Sequence, residues 1–236
     1  MKLHVRTWGE GDKVALLVHG LFSDSTNWHR VGPALAQRGY RVLAPDLRGH
    51  GESPRGRYSI VDWSLDLLET IDDVPDLAIG HSLGGLVLAI VAKPLSARSA
   101  IYLDPAWRMS AEQDARFLAE WSRWLQWTSI DQQRERLGDR WPEEDLQLRW
   151  ASMRIADPAI VPGLAAGGGY DHSPEDSMVP SHVVAADPSD FIPPGHADVL
   201  RERGLVVRTV AGSGHSVFRE DFETFMGVID EWIASS

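Results

Sequence analysis

The chain has 236 residues, 23 lysines and arginines against 34 acids for a formal net charge of −11, and no cysteine. The length suits one large domain or two small ones with a full core. The composition excludes a disulfide framework, a thiolate metal site and a cysteine nucleophile, and the negative charge opposes nucleic-acid binding and attraction to anionic membranes.

No apolar stretch is long enough to span a bilayer, and the residues from Met1 to Trp8 lack the apolar run of a signal peptide. The lack of cysteine fits a reducing compartment, and a cytoplasmic location is expected.

Taken in chain order, Lys2 to Trp8 alternates and reads as an edge strand. Val14 to Val18 is a continuous apolar run and reads as a central strand. Val31 to Arg38 is helical in pattern and stops at Gly39. Tyr40 to Ala44 is the next strand. Ser59 to Asp72 reads as a helix with Ile60, Trp63, Leu67, Leu68 and Ile71 on one face. A short strand at Leu77 to Ile79, a helix from Leu83 and a strand from Ala100 to Leu103 follow. This alternation predicts an α/β fold: a mostly parallel central sheet flanked by helices.

The rhythm changes between Pro105 and about Pro180. That stretch is helical in pattern and carries Trp107, Trp121, Trp124, Trp127, Trp141 and Trp150. Gly167-Gly168-Gly169 marks a flexible loop there, a candidate hinge. Strands at His182 to Ala186 and Leu205 to Val210, and a closing helix from about Arg219 to Ile233, resume the earlier pattern. The expected organisation is a core formed by residues 1–104 and 181–236, with a helical insertion over 105–180. Trp121, Trp124 and Trp127 recur every three residues and share roughly one helical face. They serve either as glue between insertion and core or as the wall of an apolar or aromatic pocket.

The chemistry centres on Gly80-His81-Ser82-Leu83-Gly84-Gly85, a G-x-S-x-G run between a strand and a helix. Such a turn lifts a serine hydroxyl clear of the sheet and aims helix-start amides at whatever it attacks. Serine needs an adjacent base, and His215, in the small-residue loop Gly212-Ser213-Gly214-His215 beyond the last strand, is the best candidate. The other histidines lack that context; His81 is expected to point away from the site. No two histidines sit at metal-ligand spacing with a third partner, so no catalytic metal is expected. Three aspartates follow strands on the correct side. Asp187 stands first as the orienting acid, Asp190 second and Asp104 third. His19-Gly20-Leu21-Phe22 follows the Val14 strand, and the amides of Leu21 and Leu83 can together bind a developing oxyanion.

These residues resemble the α/β-hydrolase fold superfamily over nearly the whole chain. Val18-His19-Gly20-Leu21 resembles its oxyanion loop, and Pro45-Asp46-Leu47-Arg48-Gly49-His50-Gly51-Glu52-Ser53 the turn after the next strand. Gly80 to Gly85 resembles its nucleophile elbow and Gly214-His215-Ser216 its histidine loop. The resemblance implies a Ser-His-acid triad, no cofactor and a helical cap. One departure is that Asp187 occupies the glycine place of the Gly-x-x-Asp acid loop if Asp190 is the acid. A nucleophilic serine argues against haloalkane dehalogenase or epoxide hydrolase chemistry. The expected activity is hydrolysis of a small carboxylic ester or lactone, with a small, apolar or aromatic molecule as partner. The rivals are thioester, amide or carbon–carbon bond cleavage, perhydrolase chemistry, or a non-catalytic small-molecule-binding protein on the same fold.

Overall fold

The structure is a computed structural model, and it describes residues 1–164, 169–176 and 179–235. In chain order the elements begin with β1 (Val5–Trp8), β2 (Lys13–Val18), α1 (Val31–Gln37), β3 (Tyr40–Pro45) and α2 (Ile60–Thr70). They continue through β4 (Leu77–His81), α3 (Leu83–Val91), β5 (Ala100–Leu103) and β6 (Arg108–Ser110). Four helices come next: α4 (Ala111–Trp124), α5 (Ile130–Leu137), α6 (Glu143–Ile155) and α7 (Ile160–Leu164). The chain closes with β7 (Gly169–Asp171), β8 (Ser181–Ala185), α8 (Pro194–Glu202), β9 (Val206–Thr209), α9 (Val217–Glu220) and α10 (Phe222–Ser235). Gly167 and Gly168, assigned above to a hinge loop, lie outside the described residues, whereas Gly169 opens β7.

Seven strands form one sheet in the order β1-β3-β2-β4-β5-β8-β9. Only β1 runs antiparallel to its neighbour; the other pairings are parallel. The continuous apolar runs follow from burial on both faces. In β2, Val14, Leu16 and Val18 pack under α2, α3 and α8, while Ala15 and Leu17 pack under α1 and α10. Trp63, Leu67, Val87 and Leu200 fill the first layer; Leu35, Phe225 and Ile229 fill the second. Ser59 caps α2 by accepting the Asp62 amide, so the helix starts one residue later than the apolar pattern indicates.

The residues between β5 and β8 leave the sheet. Helices α4 to α7 are flanked by the short strands β6 and β7, which pair antiparallel. Both α4 and α5 start with capping boxes, at Ser110 with Gln113 and at Ser129 with Gln132. Polar and ring contacts seat these helices on the sheet layer. The Asn27 amide donates to Ser152 Oγ at 2.7 Å, Tyr58 OH donates to Asp157 at 2.6 Å, and Trp107 Nε1 donates to the Gly85 carbonyl at 3.1 Å. Among the described residues no helix is long and apolar enough to cross a membrane.

Candidate active site

Ser82 stands between β4 and α3 with φ +53° and ψ −117°, backbone geometry that costs energy for any residue with a Cβ. The surroundings fix that turn. A Cβ on Gly84 would lie 2.2 Å from the Val18 carbonyl oxygen, so only glycine lets the start of α3 press against the end of β2. The Ser82 amide donates to the Leu103 carbonyl at 3.0 Å, tying the turn to β5. Although Ser82 occupies the N-cap position of α3, its hydroxyl makes no capping bond. That hydroxyl is therefore left for another partner.

His215 lies on the loop after β9. Its Nδ1 is 2.6 Å from Asp104 Oδ2. A carboxylate only accepts, so Nδ1 carries the proton and the imidazole presents Nε2 as its acceptor. Ser82, Asp104 and His215 line one cavity of about 350 Å³. The carboxylate that meets His215 is that of Asp104, third of the three candidates. Asp187 is exposed at the cavity mouth, and Asp190 is exposed and paired with Arg116 at 2.9 Å. Neither is hydrogen-bonded to His215, among the described residues. Asp104 ends β5, the strand next to β4, and a φ of +38° turns it back over the sheet edge. The loop after β8 supports this carboxylate rather than supplying one. Asp104 Oδ1 accepts the Ala186 amide at 3.1 Å and the Ser189 hydroxyl at 2.6 Å.

The structure corrects the expectation for His81. Its ring packs 4.7 Å from that of His215, centroid to centroid, instead of pointing away. Its Nε2 lies 2.9 Å from the His215 carbonyl oxygen, so the proton sits on Nε2 and the side chain pins the main chain of the histidine loop. Burial pushes the His81 pKa well below the ordinary value, so the ring is neutral at pH 7.

His19 holds the facing loop. Its Nδ1 donates to the Gly20 carbonyl at 2.8 Å, and its Nε2 accepts the Leu47 amide at 2.9 Å. One tautomer satisfies both bonds, and burial lowers the pKa to match. The consequence falls on Leu21. In a planar trans peptide the carbonyl and the N–H point opposite ways. Fixing the Gly20 carbonyl toward His19 therefore turns the Leu21 N–H the other way. The Leu83 N–H is one of the unpaired first-turn donors of α3. Leu21 borders the large cavity, and Leu21 and Leu83 both border a smaller one beside Ser82. Gly20 itself must be glycine here, because a Cβ would lie 3.1 Å from the Ser82 Cβ and 2.9 Å from His81 Nδ1.

The large cavity is roofed by Trp121 and Trp124 of α4 and by Trp127 just beyond it. All three also pack around Phe22 and Met153, so they join insertion to core and face the cavity at once. The residues for which no motif gave a signal are cationic. Arg149 of α6 and Arg219 of α9 both reach the cavity beside the Phe22-Ser23 segment, and burial pushes their pKa values down to about 9 and about 10. Both stay charged at pH 7.

The profile of the Alpha/beta hydrolase family matches residues 15–226. The chain is similar to lipase LipV of Mycobacterium tuberculosis, 34% identical over 111 residues, which is 44% of this chain and 42% of the lipase. The matched segments span less than half the length of the curated relatives. Among solved structures, an esterase from Exiguobacterium antarcticum superposes with a TM-score of 0.78 at 16% identity, covering 98% of this chain and 95% of the esterase. The enol-lactonase from Burkholderia xenovorans superposes at 0.75 and 20% identity, covering 98% and 96%. At such identities these two likenesses concern the fold. With the family profile spanning all but the two ends, the chain belongs to the α/β-hydrolase family.

Proposed function

We propose that this protein is a serine hydrolase that cleaves a small carboxylic ester or lactone through an acyl-enzyme. Ser82 Oγ attacks the carbonyl carbon while His215 Nε2 takes its proton, and Asp104 holds the imidazole in the required tautomer and stabilises the imidazolium. The amides of Leu21 and Leu83 receive the oxyanion. The carbon–oxygen bond to the leaving group then breaks, and His215 returns the proton to that oxygen. Water, deprotonated by His215, attacks the acyl carbon, and Ser82 recovers its proton. The balance is ester plus water to acid plus alcohol. Residues 105–180 act as a cap on the core of residues 1–104 and 181–236; α4 and α6 supply part of the cavity wall.

One observation carries the reading. An uncapped serine hydroxyl at positive φ shares a cavity with a histidine whose far nitrogen is bound to a buried carboxylate. Treatment with a fluorophosphonate probe is expected to give an adduct on Ser82 that is lost in His215→Ala. Ser82→Ala is expected to keep the native circular dichroism and lose turnover. A folded protein that takes no adduct, or a Ser82→Ala variant with undiminished turnover, would refute the proposal.

A further inference from the structure

Ser82 borders two cavities of opposite character. The smaller, about 160 Å³, is lined by Leu83, Leu86, Ala106, Met109 and Leu164, with Ser59 and Tyr170 at its polar points. The larger carries the cations. Leu21, Ser82 and Trp121 belong to both, so they mark the boundary.

The proton path assigns the two sides. The leaving oxygen must reach His215, which borders the large cavity and not the small one. The acyl group therefore extends into the small cavity. Taking roughly 30 Å³ per atom-sized unit, the share of a water in the liquid, that cavity takes an acyl chain of up to about five carbons.

Arg149 gives the large cavity its selectivity. Its Nη1 donates to the Phe22 carbonyl at 2.5 Å. Among the described residues no carboxylate lies within ion-pair distance of the guanidinium, the buried Asp24 acting on it only from further off, and it is half-buried and lines the cavity. The other charges around the cavity are held by side-chain or amide partners, except Arg140, which like Arg149 has no carboxylate partner among the described residues but is exposed to solvent, and the exposed Asp187. Arg136 pairs with Glu120, Arg219 lies 3.7 Å from Asp145, and Asp190 pairs with Arg116. Glu220 accepts the Gly214 amide and Trp141 Nε1, and Asp104 holds His215. Arg140 donates to the Leu137 carbonyl, and Asp187 stands exposed at the mouth. A planar cation with unused donors, in a site walled by tryptophan, fits a carboxylate.

We infer that the substrate is a short apolar acyl ester of an alcohol that bears a carboxylate, the carboxylate being held by Arg149. This rests on the serine-hydrolase reading above.

Two matched pairs of esters test it. The first is 4-acetoxybutanoate against butyl acetate, with the charge on the alcohol side. The second is monoethyl glutarate against ethyl pentanoate, with the charge on the acyl side. The kcat/KM ratio of charged to neutral ester is expected to be about tenfold or more for the first pair and below one for the second. In Arg149→Gln the first ratio falls by about 10- to 100-fold, the worth of a charge-assisted hydrogen bond, and Arg149→Lys restores part of it. A first ratio at or below one in the wild type, or a charge preference on the acyl side, overturns the inference. Equal losses on both esters in Arg149→Gln also overturn it, because Arg149 then only props the Phe22 loop. Binding decides the matter independently of turnover. Titration of Ser82→Ala protein with 4-acetoxybutanoate, followed by tryptophan fluorescence, is expected to saturate, and adding Arg149→Gln to weaken it by the same factor. No such dependence overturns the inference. Arg149-dependent binding without turnover or a fluorophosphonate adduct leaves the anion site standing and removes the hydrolase reading instead.

Discussion

Replacing Asp104 by asparagine separates the three candidate acids. Asp104 Oδ1 accepts two donors, the Ala186 amide and the Ser189 hydroxyl. In the variant the asparagine oxygen must stay there, because its amino group cannot accept from either. The amino group then replaces Oδ2, 2.6 Å from His215 Nδ1. It can only donate, so His215 Nδ1 must become the acceptor and the ring proton moves to Nε2. The lone pair that takes the Ser82 proton is then gone. A triad with the wrong tautomer loses about 10⁴-fold in kcat, or about 5.4 kcal/mol at 1.36 kcal/mol per tenfold. The shape and two of the three bonds survive, so the stability cost is about 1–2 kcal/mol. The assay is kcat/KM on a short-chain ester, with the rate of fluorophosphonate labelling as a second readout and urea unfolding as control. Asp190→Asn loses only an exposed pair with Arg116, worth about 1 kcal/mol or less, and its activity should stay within a few-fold of wild type. An Asp104→Asn enzyme within tenfold of wild type, or an Asp187→Asn or Asp190→Asn enzyme as damaged as expected for Asp104→Asn, would refute the assignment.

The backbone and the buried histidines give two further predictions. Gly84→Ala forces a Cβ to within 2.2 Å of the Val18 carbonyl, with backbone on both sides of the clash. The elbow must shift, so kcat should fall at least 100-fold even if the chain folds, since small misplacements at a reacting centre carry losses of about that size; labelling and turnover near wild type would contradict this. His19, His50 and His81 have folded pKa values lowered, chiefly by burial, from the ordinary 6.5. The unfolded chain therefore binds more protons as the pH drops below about 6.5, and the stability present above that pH is lost on the way down. Each group so lowered adds up to about 1.4 kcal/mol per pH unit to the slope. The urea midpoint should fall between pH 6.5 and 5.5, above the range where carboxylates titrate; a flat or rising midpoint would show that these rings are not held neutral.

How much the sequence disclosed depended on how local each cause was. The strands β2 and β4 were readable because burial on both faces leaves an unbroken apolar run. Ser82 and His215 were readable because each sits in a small-residue loop at a strand end. The carboxylate that meets His215 was not, since three aspartates share that position and the contact rests on the φ of Asp104 and on donors more than 80 residues away, at Ala186 and Ser189. His81 was misjudged for the same reason: its partner is a main-chain carbonyl 134 residues on. Helix α8 escaped the pattern because Pro193 and Pro194, which open it, read as loop, although proline suits a first turn. The three-residue strands β6 and β7 are too short for any period to register. Arg149 gave no signal because its meaning lies in the lack of a counter-charge, which only the assembled cavity displays.

The position of Asp104 has a consequence for how such a molecule can be altered. Ser82 and Asp104 follow adjacent parallel strands and are separated by 22 positions of chain, all of it upstream of the four helices that roof the site. Were the acid carried beyond β8, every change in the length of the helical stretch would fall between it and the serine. Here Ser82 and Asp104 are in place before the roof begins, and the chain beyond the roof supplies His215 and, at Ser189 and the Ala186 amide, the donors that hold Asp104. A roof of different length or composition can therefore be grafted between β5 and β8 without altering the register of Ser82 and Asp104, provided that the graft returns the chain to β8 and so His215 to its place, and what is recognised can be redesigned separately from what is done to it.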